Sequence, residues 1–142
     1  MAKVIMTVQK VKQFLSIVCE LLETDDTWEI NNKRWANGKV NKTRTYMAET
    51  GVGPDVIREV VKELRVKHYS STEDDYNSNF KHEQVWKFGI TKNLIDKDEK
   101  LYIKLKVRQF KNGEYLLIMS FHPECPEDIQ DELKFPYADY TD

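Results

Sequence analysis

Alternating apolar and polar residues in the second half of the chain constrain the fold more than any other feature of this sequence. In Leu101–Arg108 every second residue is apolar, and the same alternation is present in Gln84–Ile90. A period of two places the apolar side chains on one face of a β-strand and the remaining side chains on the other. The two segments therefore predict a sheet with one core face and one largely basic face.

The segment Lys111–Gly113 separates a strand ending at Phe110 from a strand starting at Glu114, and two turns compete for it. A two-residue Asn-Gly turn would mix apolar and charged residues on the same face. A three-residue loop, with Gly113 in the left-handed conformation, pairs Phe110 with Glu114 and keeps one face apolar. We therefore predict the three-residue loop. It gives three apolar pairs on the core face: Ile103 with Phe121, Leu105 with Met119, and Val107 with Leu117.

The same register predicts which polar side chains meet on the opposite face. It pairs Tyr102 with His122 and Lys104 with Ser120, and cross-strand partners have Cβ atoms about 5 Å apart. A phenol, an imidazole, an ammonium group and a hydroxyl would thus converge on one surface. Polar residues are also common on a solvated sheet face, so the residues by themselves leave that plainer interpretation open.

The first half of the chain has the three- to four-residue spacing of amphipathic helices. This spacing predicts a first helix from about Lys3 to Glu23 and a short second helix at Thr43–Thr50, closed by Gly51. A third helix is expected to begin at Pro54, because proline suits the first helical turn. Its buried face is predicted to consist of four apolar residues, Ile57, Val60, Val61 and Leu64.

Two polar stretches, Trp28–Lys42 and Ser70–Asn79, are predicted to be loops. A chain of 142 residues has the usual length of one domain. The sequence therefore predicts a single α+β domain over residues 1–142, with three helices packed on one face of a small antiparallel sheet. The opposite face of the sheet would carry the functional site.

Charge is distributed unevenly along the chain. The formal net charge is -2, but the segment from about residue 123 onward carries -6, which leaves +4 for the rest. We expect a basic body with an acidic C-terminal tail, and a basic surface is what binding to nucleic acid requires. No apolar run is long enough to cross a bilayer, and the N-terminus lacks the apolar centre of a secretory signal. The sequence therefore predicts a cytoplasmic protein.

The sequence predicts no metal site. The two cysteines, Cys19 and Cys125, form neither a disulfide framework nor a CxxC spacing, and they are expected to be reduced. His122 and Cys125 could form half of a metal site with His68 or His82, but no paired spacing supports it. The sequence also has no glycine-rich phosphate loop. We expect no metal ion and no other cofactor.

Six short segments between Thr43 and Tyr137 form an ordered series: Met47–Pro54, Val66–Tyr69, Val85–Gly89, Leu101–Leu105, Ser120–His122 and Lys134–Tyr137. In order and spacing this series resembles the MqsR family, the RelE-like toxins of type II toxin–antitoxin systems. The resemblance implies a RelE/MqsR-like fold and an endoribonuclease that cleaves mRNA without a metal ion. It also implies a cognate antitoxin as inhibitor, with the ribosome as a further candidate partner.

The resemblance also implies roles for individual residues. In such enzymes the ribose 2′-hydroxyl attacks the adjacent phosphate, so the protein supplies a base, an acid and positive charge. Tyr102 matches the family's catalytic strand tyrosine, whereas His122 stands where MqsR has a lysine and Lys87 where it has a glutamine. We predict that His122, with an ordinary pKa of about 6.5, transfers the proton. Tyr102 is expected to position or donate, and Lys104 and Lys87 to hold the phosphate.

Three further residues, Tyr69, Lys106 and Arg108, are predicted to contact the RNA bases and backbone. Two alternatives stay open. One is a non-catalytic phage or mobile-element protein that binds and inhibits a protein or nucleic-acid partner, with its acidic tail imitating nucleic acid. The other is a small inert domain in which the matching segments serve packing alone.

Overall fold

The computed structural model describes residues 3–31, 40–75, 83–125 and 132–141. Within these residues it has three α-helices and one five-stranded sheet, which confirms the predicted α+β class. The helices are α1 (Val8–Leu21), α2 (Lys42–Thr50) and α3 (Pro54–Lys62), and the strands are β1 (Trp28–Ile30), β2 (Tyr69–Asp74), β3 (Gln84–Asn93), β4 (Asp98–Phe110) and β5 (Gly113–Pro123). Their order across the sheet is β1-β5-β4-β3-β2.

Helix α1 is shorter than the sequence predicts. Thr7 caps it, because its side chain accepts a hydrogen bond from the Lys10 backbone N–H at 3.2 Å. The residues before the cap are not helical, since the backbone of Val4 exchanges hydrogen bonds of 2.7 and 2.9 Å with that of Thr72. The predicted start at Lys3 was therefore wrong, because pairing with the edge of the sheet replaces the first helical turn.

The predictions for α2 and α3 are confirmed. Helix α2 ends at Gly51, which has a left-handed φ of 76° and donates its N–H to the Met47 carbonyl at 2.9 Å. Helix α3 begins with Pro54 in its first turn. Its four predicted core residues, Ile57, Val60, Val61 and Leu64, are all buried.

The alternation predicted for β3 and β4 is also confirmed, and both strands are longer than predicted. Phe88, Ile103 and Phe121 from three adjacent strands are completely buried on the face that the helices cover. Phe14 of α1 stacks on Trp86 of β3 with ring centroids 4.1 Å apart. The core therefore lies between the helices and this face of the sheet. The other side of the sheet, which carries Tyr102, Lys104 and Lys106 of β4, is called the second face.

Both predicted loops contain a strand. Strand β1 pairs in parallel with β5, so the sheet is mixed and not purely antiparallel. Strand β2 pairs antiparallel with β3, and its residues Ser70, Ser71 and Thr72 are buried although polar. The Thr72 hydroxyl lies 2.7 Å from the Tyr69 hydroxyl, so hydrogen bonding satisfies it inside the core. Residues 32–39 and 76–79 of the predicted loops lie outside the described residues.

The β4–β5 hairpin has the predicted register only at the end far from its turn. Tyr102 pairs with His122, Ile103 with Phe121, and Lys104 with Ser120, as predicted. The turn itself was predicted wrongly: Phe110 pairs with Gly113, which leaves two residues in the turn, and Gly113 has a φ of 128°.

A register shift between Lys104 and Leu105 reconciles the two ends of the hairpin, with Met119 left between paired residues. Beyond the shift Leu105 pairs with Ile118 and Val107 with Leu116, so the predicted pairs with Met119 and Leu117 were wrong. Leu105 and Ile118 are both completely buried. The bulge thus preserves the apolar face with a shorter turn.

Candidate functional site

The second face brings together the two residues with the strongest predicted roles. The rings of Tyr102 on β4 and His122 on β5 are stacked, with centroids 5.3 Å apart and an interplanar angle of 24°. Neither belongs to the hydrophobic core cluster, yet Tyr102 is only 4% exposed and His122 only 6%. The two rings are therefore neighbours in a largely buried position outside the main core.

A hydrogen-bond contact determines the tautomer of His122. Its Nδ1 lies 2.9 Å from the carbonyl oxygen of Pro123. A carbonyl oxygen only accepts, so Nδ1 carries the hydrogen and donates it. In the neutral ring the lone pair is then on Nε2, which is the basic nitrogen of that tautomer.

The predicted phosphate-binding lysines have different surroundings. Lys104 is half-buried and pairs in register with Ser120 on β5, one row away from the two rings. Lys87 on β3 pairs in register with Lys104 but is buried, and its Nζ lies 2.9 Å from a carboxylate oxygen of Glu73. The structure therefore brings both lysines to the predicted face, with the charge of Lys87 matched by an acidic neighbour.

The other end of the second face holds a cluster of ion pairs. Lys106, 2% exposed, bonds to Asp75 and lies 2.9 Å from Glu83. Arg108 donates to the same Glu83 carboxylate at 2.8 and 3.1 Å. This hydrogen bonding raises the pKa of Arg108 above its ordinary value, although partial burial acts against it. Both predicted RNA-binding cations are therefore neutralised within the protein.

Tyr69, the third predicted RNA-binding residue, lies in the core. Its side chain is completely buried, and its hydroxyl accepts a hydrogen bond from the Met6 backbone N–H at 3.0 Å. Burial is the main cause that raises the pKa of its phenol. The ring also packs against Trp86 and Phe88. Tyr69 thus belongs to the helix-covered side of the sheet, and not to the face that carries Tyr102.

Residues 132–141, called the C-terminal segment, pack on the domain. A Cβ added at Gly89 would lie 2.7 Å from Leu133 Cδ1 and 2.8 Å from Phe135 Cζ. Both side chains therefore lie directly against the glycine backbone on the second face. Gly89 pairs in register with Tyr102, so the segment covers the position beside the stacked rings.

The segment then passes the β2 edge to the helix side of the sheet. The Lys134 backbone N–H donates to the Ser70 hydroxyl at 3.3 Å, and the Tyr137 hydroxyl donates to the Met6 carbonyl at 2.6 Å. Lys12 Nζ of α1 lies 5.1 Å from the Tyr140 ring centre. The sequence signal for this docking was a series of large apolar residues within the acidic tail.

A cavity beside His122 was not predicted from the sequence. It has a volume of about 440 Å³, and its lining includes Lys42, Tyr46, Lys97 and Glu99. The Tyr46 hydroxyl donates to a Glu99 carboxylate oxygen at 3.1 Å. Burial, followed by the hydrogen bond and charge of Glu99, raises the pKa of Tyr46 to about 12. No sequence motif could identify this pair, because 53 positions separate the two residues.

Two absences apply to the described part of the chain. Within residues 3–31, 40–75, 83–125 and 132–141, no three His, Cys, Asp or Glu side chains are arranged to hold a metal ion. No helix in the same ranges has the length and apolar character needed to span a bilayer. His82, one of the residues considered for a metal site, lies outside them.

Comparison of the chain with known protein families, curated proteins and solved structures identified no relative. No protein-family model matches the chain, and no curated protein and no solved structure matches it either. The resemblance to MqsR-family toxins therefore stays a prediction from the sequence, beside the geometry of the second face.

Proposed function

We propose that this protein is the toxin of a toxin–antitoxin system and cleaves mRNA without a metal ion, with Tyr102 and His122 at its active centre. The observation that carries the proposal is the stacking of the two rings at 5.3 Å. The basic Nε2 of neutral His122 adds to it, because RNA cleavage by the 2′-hydroxyl needs a proton acceptor.

The proposed reaction follows from these groups. His122 Nε2 takes the proton of the 2′-hydroxyl, the 2′-oxygen forms a bond to phosphorus, and the bond from phosphorus to the 5′-oxygen breaks. The 5′-oxygen then receives the proton from His122. The products are a 2′,3′-cyclic phosphate and a 5′-hydroxyl. The Tyr102 phenol donates to the phosphate, and Lys104 supplies positive charge as negative charge develops on it.

The proposal assigns the protein to the cytoplasm, with mRNA, free or on the ribosome, as substrate and a cognate antitoxin as inhibitor. Expression without the antitoxin should then arrest growth, and transcripts should be cut at recurring sites. Mapping the ends of cellular transcripts before and after induction tests this. Intact transcripts in arrested cells would contradict an mRNA-cleaving toxin.

A purified-protein assay tests the chemistry. His122→Ala should lower the rate of RNA cleavage by about 10²–10⁴-fold, the usual contribution of one general acid–base group. The reaction should continue in excess EDTA and leave a cyclic phosphate. Tyr115→Ala is the control, because it also removes a ring from β5 but near the hairpin turn, where Tyr115 pairs with Arg108. An unchanged rate for His122→Ala would refute the assignment.

The ion-paired cations favour a second candidate. Lys87, Lys106 and Arg108 each have an acidic partner, so these three groups offer less charge to RNA phosphates than the sequence suggested. The alternative is a non-catalytic phage or mobile-element protein that binds and inhibits a protein or nucleic-acid partner. Absence of cleavage by the wild type, together with saturable binding to such a partner, would favour this candidate.

A further inference from the structure

We infer that the hollow over Gly89 binds the RNA base next to the cleaved phosphate, and that Leu133 and Phe135 of the C-terminal segment occupy this hollow in the structure. The inference rests on the proposed function and adds to it a binding site and an intramolecular competitor for that site.

The first support for a base-binding site is the position of Gly89 in the sheet. In register, Gly89 of β3 pairs with Tyr102 of β4, which pairs with His122 of β5, so the three residues form one row on the second face. Adjacent positions in such a row are about 5 Å apart. A group that rests on Gly89 is therefore next to Tyr102, as the nucleotide beside the reacting phosphate must be.

The second support for a base-binding site is the shape of the hollow. A glycine inside a strand leaves no side chain above the backbone and allows a ligand to approach closely. In the structure the ring of Phe135 and the methyl of Leu133 use this space, since both lie under 3 Å from the position of an added Cβ. A nucleobase is a flat ring that binds protein surfaces by stacking. The hollow that accepts the Phe135 ring therefore fits a base.

The third support for a base-binding site is the charge around the hollow. A cavity of about 460 Å³ adjoins Gly89, and two of its lining residues are Lys67 and Lys100. Both lysines are exposed, and neither makes an ion pair among the described residues, whereas Lys87 and Lys106 do. Glu124 also lines this cavity, so its charge is mixed. Lys67 and Lys100 thus lie beside the hollow, where they can contact an RNA backbone.

The C-terminal segment must then move before RNA binds. Phe135 and a base cannot both rest on Gly89, and Tyr102 is only 4% exposed while the segment is in place. Phe135 itself remains 39% exposed, so its ring contributes less buried area than a core aromatic residue does. A segment held by such partial contacts can be displaced by a ligand that binds the same hollow.

Binding of an uncleavable oligonucleotide tests the inference separately from catalysis. The probe is a short single-stranded RNA with 2′-O-methyl groups, titrated against the full-length protein. Phe135→Ala should bind it roughly three- to tenfold more tightly than the wild type, because a larger fraction of the molecules has an open hollow. Phe110→Ala, a change of another exposed phenylalanine at the hairpin turn, should leave the affinity unchanged.

A second variant keeps the test valid if Phe135→Ala disturbs folding. Tyr137→Phe removes the hydrogen bond to Met6 but leaves the hollow intact, so it should also increase the affinity. The inference would be overturned if neither Phe135→Ala nor Tyr137→Phe bound the oligonucleotide more tightly than the wild type does. An equal gain in affinity in Phe110→Ala would overturn it as well. The proposed chemistry would fail differently, because the parental cleavage rate in His122→Ala would refute it whatever the binding results.

Discussion

The two ends of the sheet's second face are buried in different ways. At one end Lys106, Arg108 and their acidic partners form a network of charge-assisted bonds. At the other end the stacked rings of Tyr102 and His122 lie beside a glycine that the C-terminal segment covers. Breaking a buried ion pair leaves an uncompensated charge, whereas lifting a half-exposed aromatic ring exposes only apolar surface. Opening the first end is therefore expected to cost more free energy than opening the second.

The largest expected effect is at the ion-paired end. Lys106→Ala should lower the free energy of unfolding by about 3–5 kcal/mol, because it leaves the buried carboxylates of Asp75 and Glu83 without this cation. Urea unfolding measures the change. Lys100→Ala removes an exposed lysine with no ion pair among the described residues and should alter stability by less than about 0.5 kcal/mol. Similar losses in both variants would remove the difference between the ends.

A pH effect is expected on the helix-covered side of the sheet, in the cavity beside His122, where the partner of Glu99 is the Tyr46 phenol. The pKa of Tyr46 is about 12 in the folded protein, above the ordinary 10.0. The unfolded chain therefore loses this proton first, and the stabilisation is complete below pH 10 and lost as the pH rises to 12. The loss should reach about 2–3 kcal/mol, at 1.36 kcal/mol for each pKa unit.

Urea unfolding at pH 9 and pH 11 measures this loss, and Tyr46→Phe is the control. The wild type should lose more stability than Tyr46→Phe over this interval, since the variant has no phenol at this position. The comparison removes the contribution of the other tyrosines, which both proteins share. Parallel pH profiles would show that Tyr46 and Glu99 are not coupled as the 3.1 Å hydrogen bond implies.

Packing of the C-terminal segment on Gly89 should have a smaller effect. Gly89→Ala should destabilise the protein by about 1–3 kcal/mol, because the new methyl group overlaps Leu133 and Phe135. In a Phe135→Ala background the same substitution should cost less, and a double-mutant cycle measures the coupling. Additive effects would mean that the segment does not rest on Gly89 in solution.

The smallest expected effect concerns RNA binding at the ring-containing end. Lys104→Ala should weaken binding of the uncleavable oligonucleotide about tenfold and reduce the salt dependence of binding by about one phosphate contact. Arg108→Ala should leave that salt dependence unchanged, because its charge already pairs with Glu83. An equal reduction in both variants would mean that RNA contacts the whole face and not one end of it.

The adjacency of Tyr102 and His122 could be predicted because strict alternation in β4 fixes which side chains share a face. The hairpin turn could not, since two compensating changes, a shorter turn and a bulge at Met119, give the same pairing at the site. Strand β2 was missed because Ser70, Ser71 and Thr72 are polar, and their hydrogen bonding inside the fold has no periodic signal.

The ion pairs were also beyond prediction from the sequence. Lys106 lies 31 positions from Asp75 and 23 from Glu83, so only the folded sheet brings them together. The C-terminal segment was interpreted as an acidic tail because its composition outweighed the apolar residues Leu133, Phe135 and Tyr137 within it. Net charge reports on solubility and partners, whereas a few large side chains decide whether a segment docks.

Met119 forms the bulge in β5 and has no partner residue in the β4–β5 register. The tip, from Leu105 to Ile118, and the end that carries Tyr102 and His122 differ by one residue in register. A single insertion in the turn can therefore be absorbed by loss of the bulge, which returns Met119 to the ladder and leaves the two rings facing each other. The tip of this hairpin can therefore change length by one residue during evolution while His122 stays paired with Tyr102.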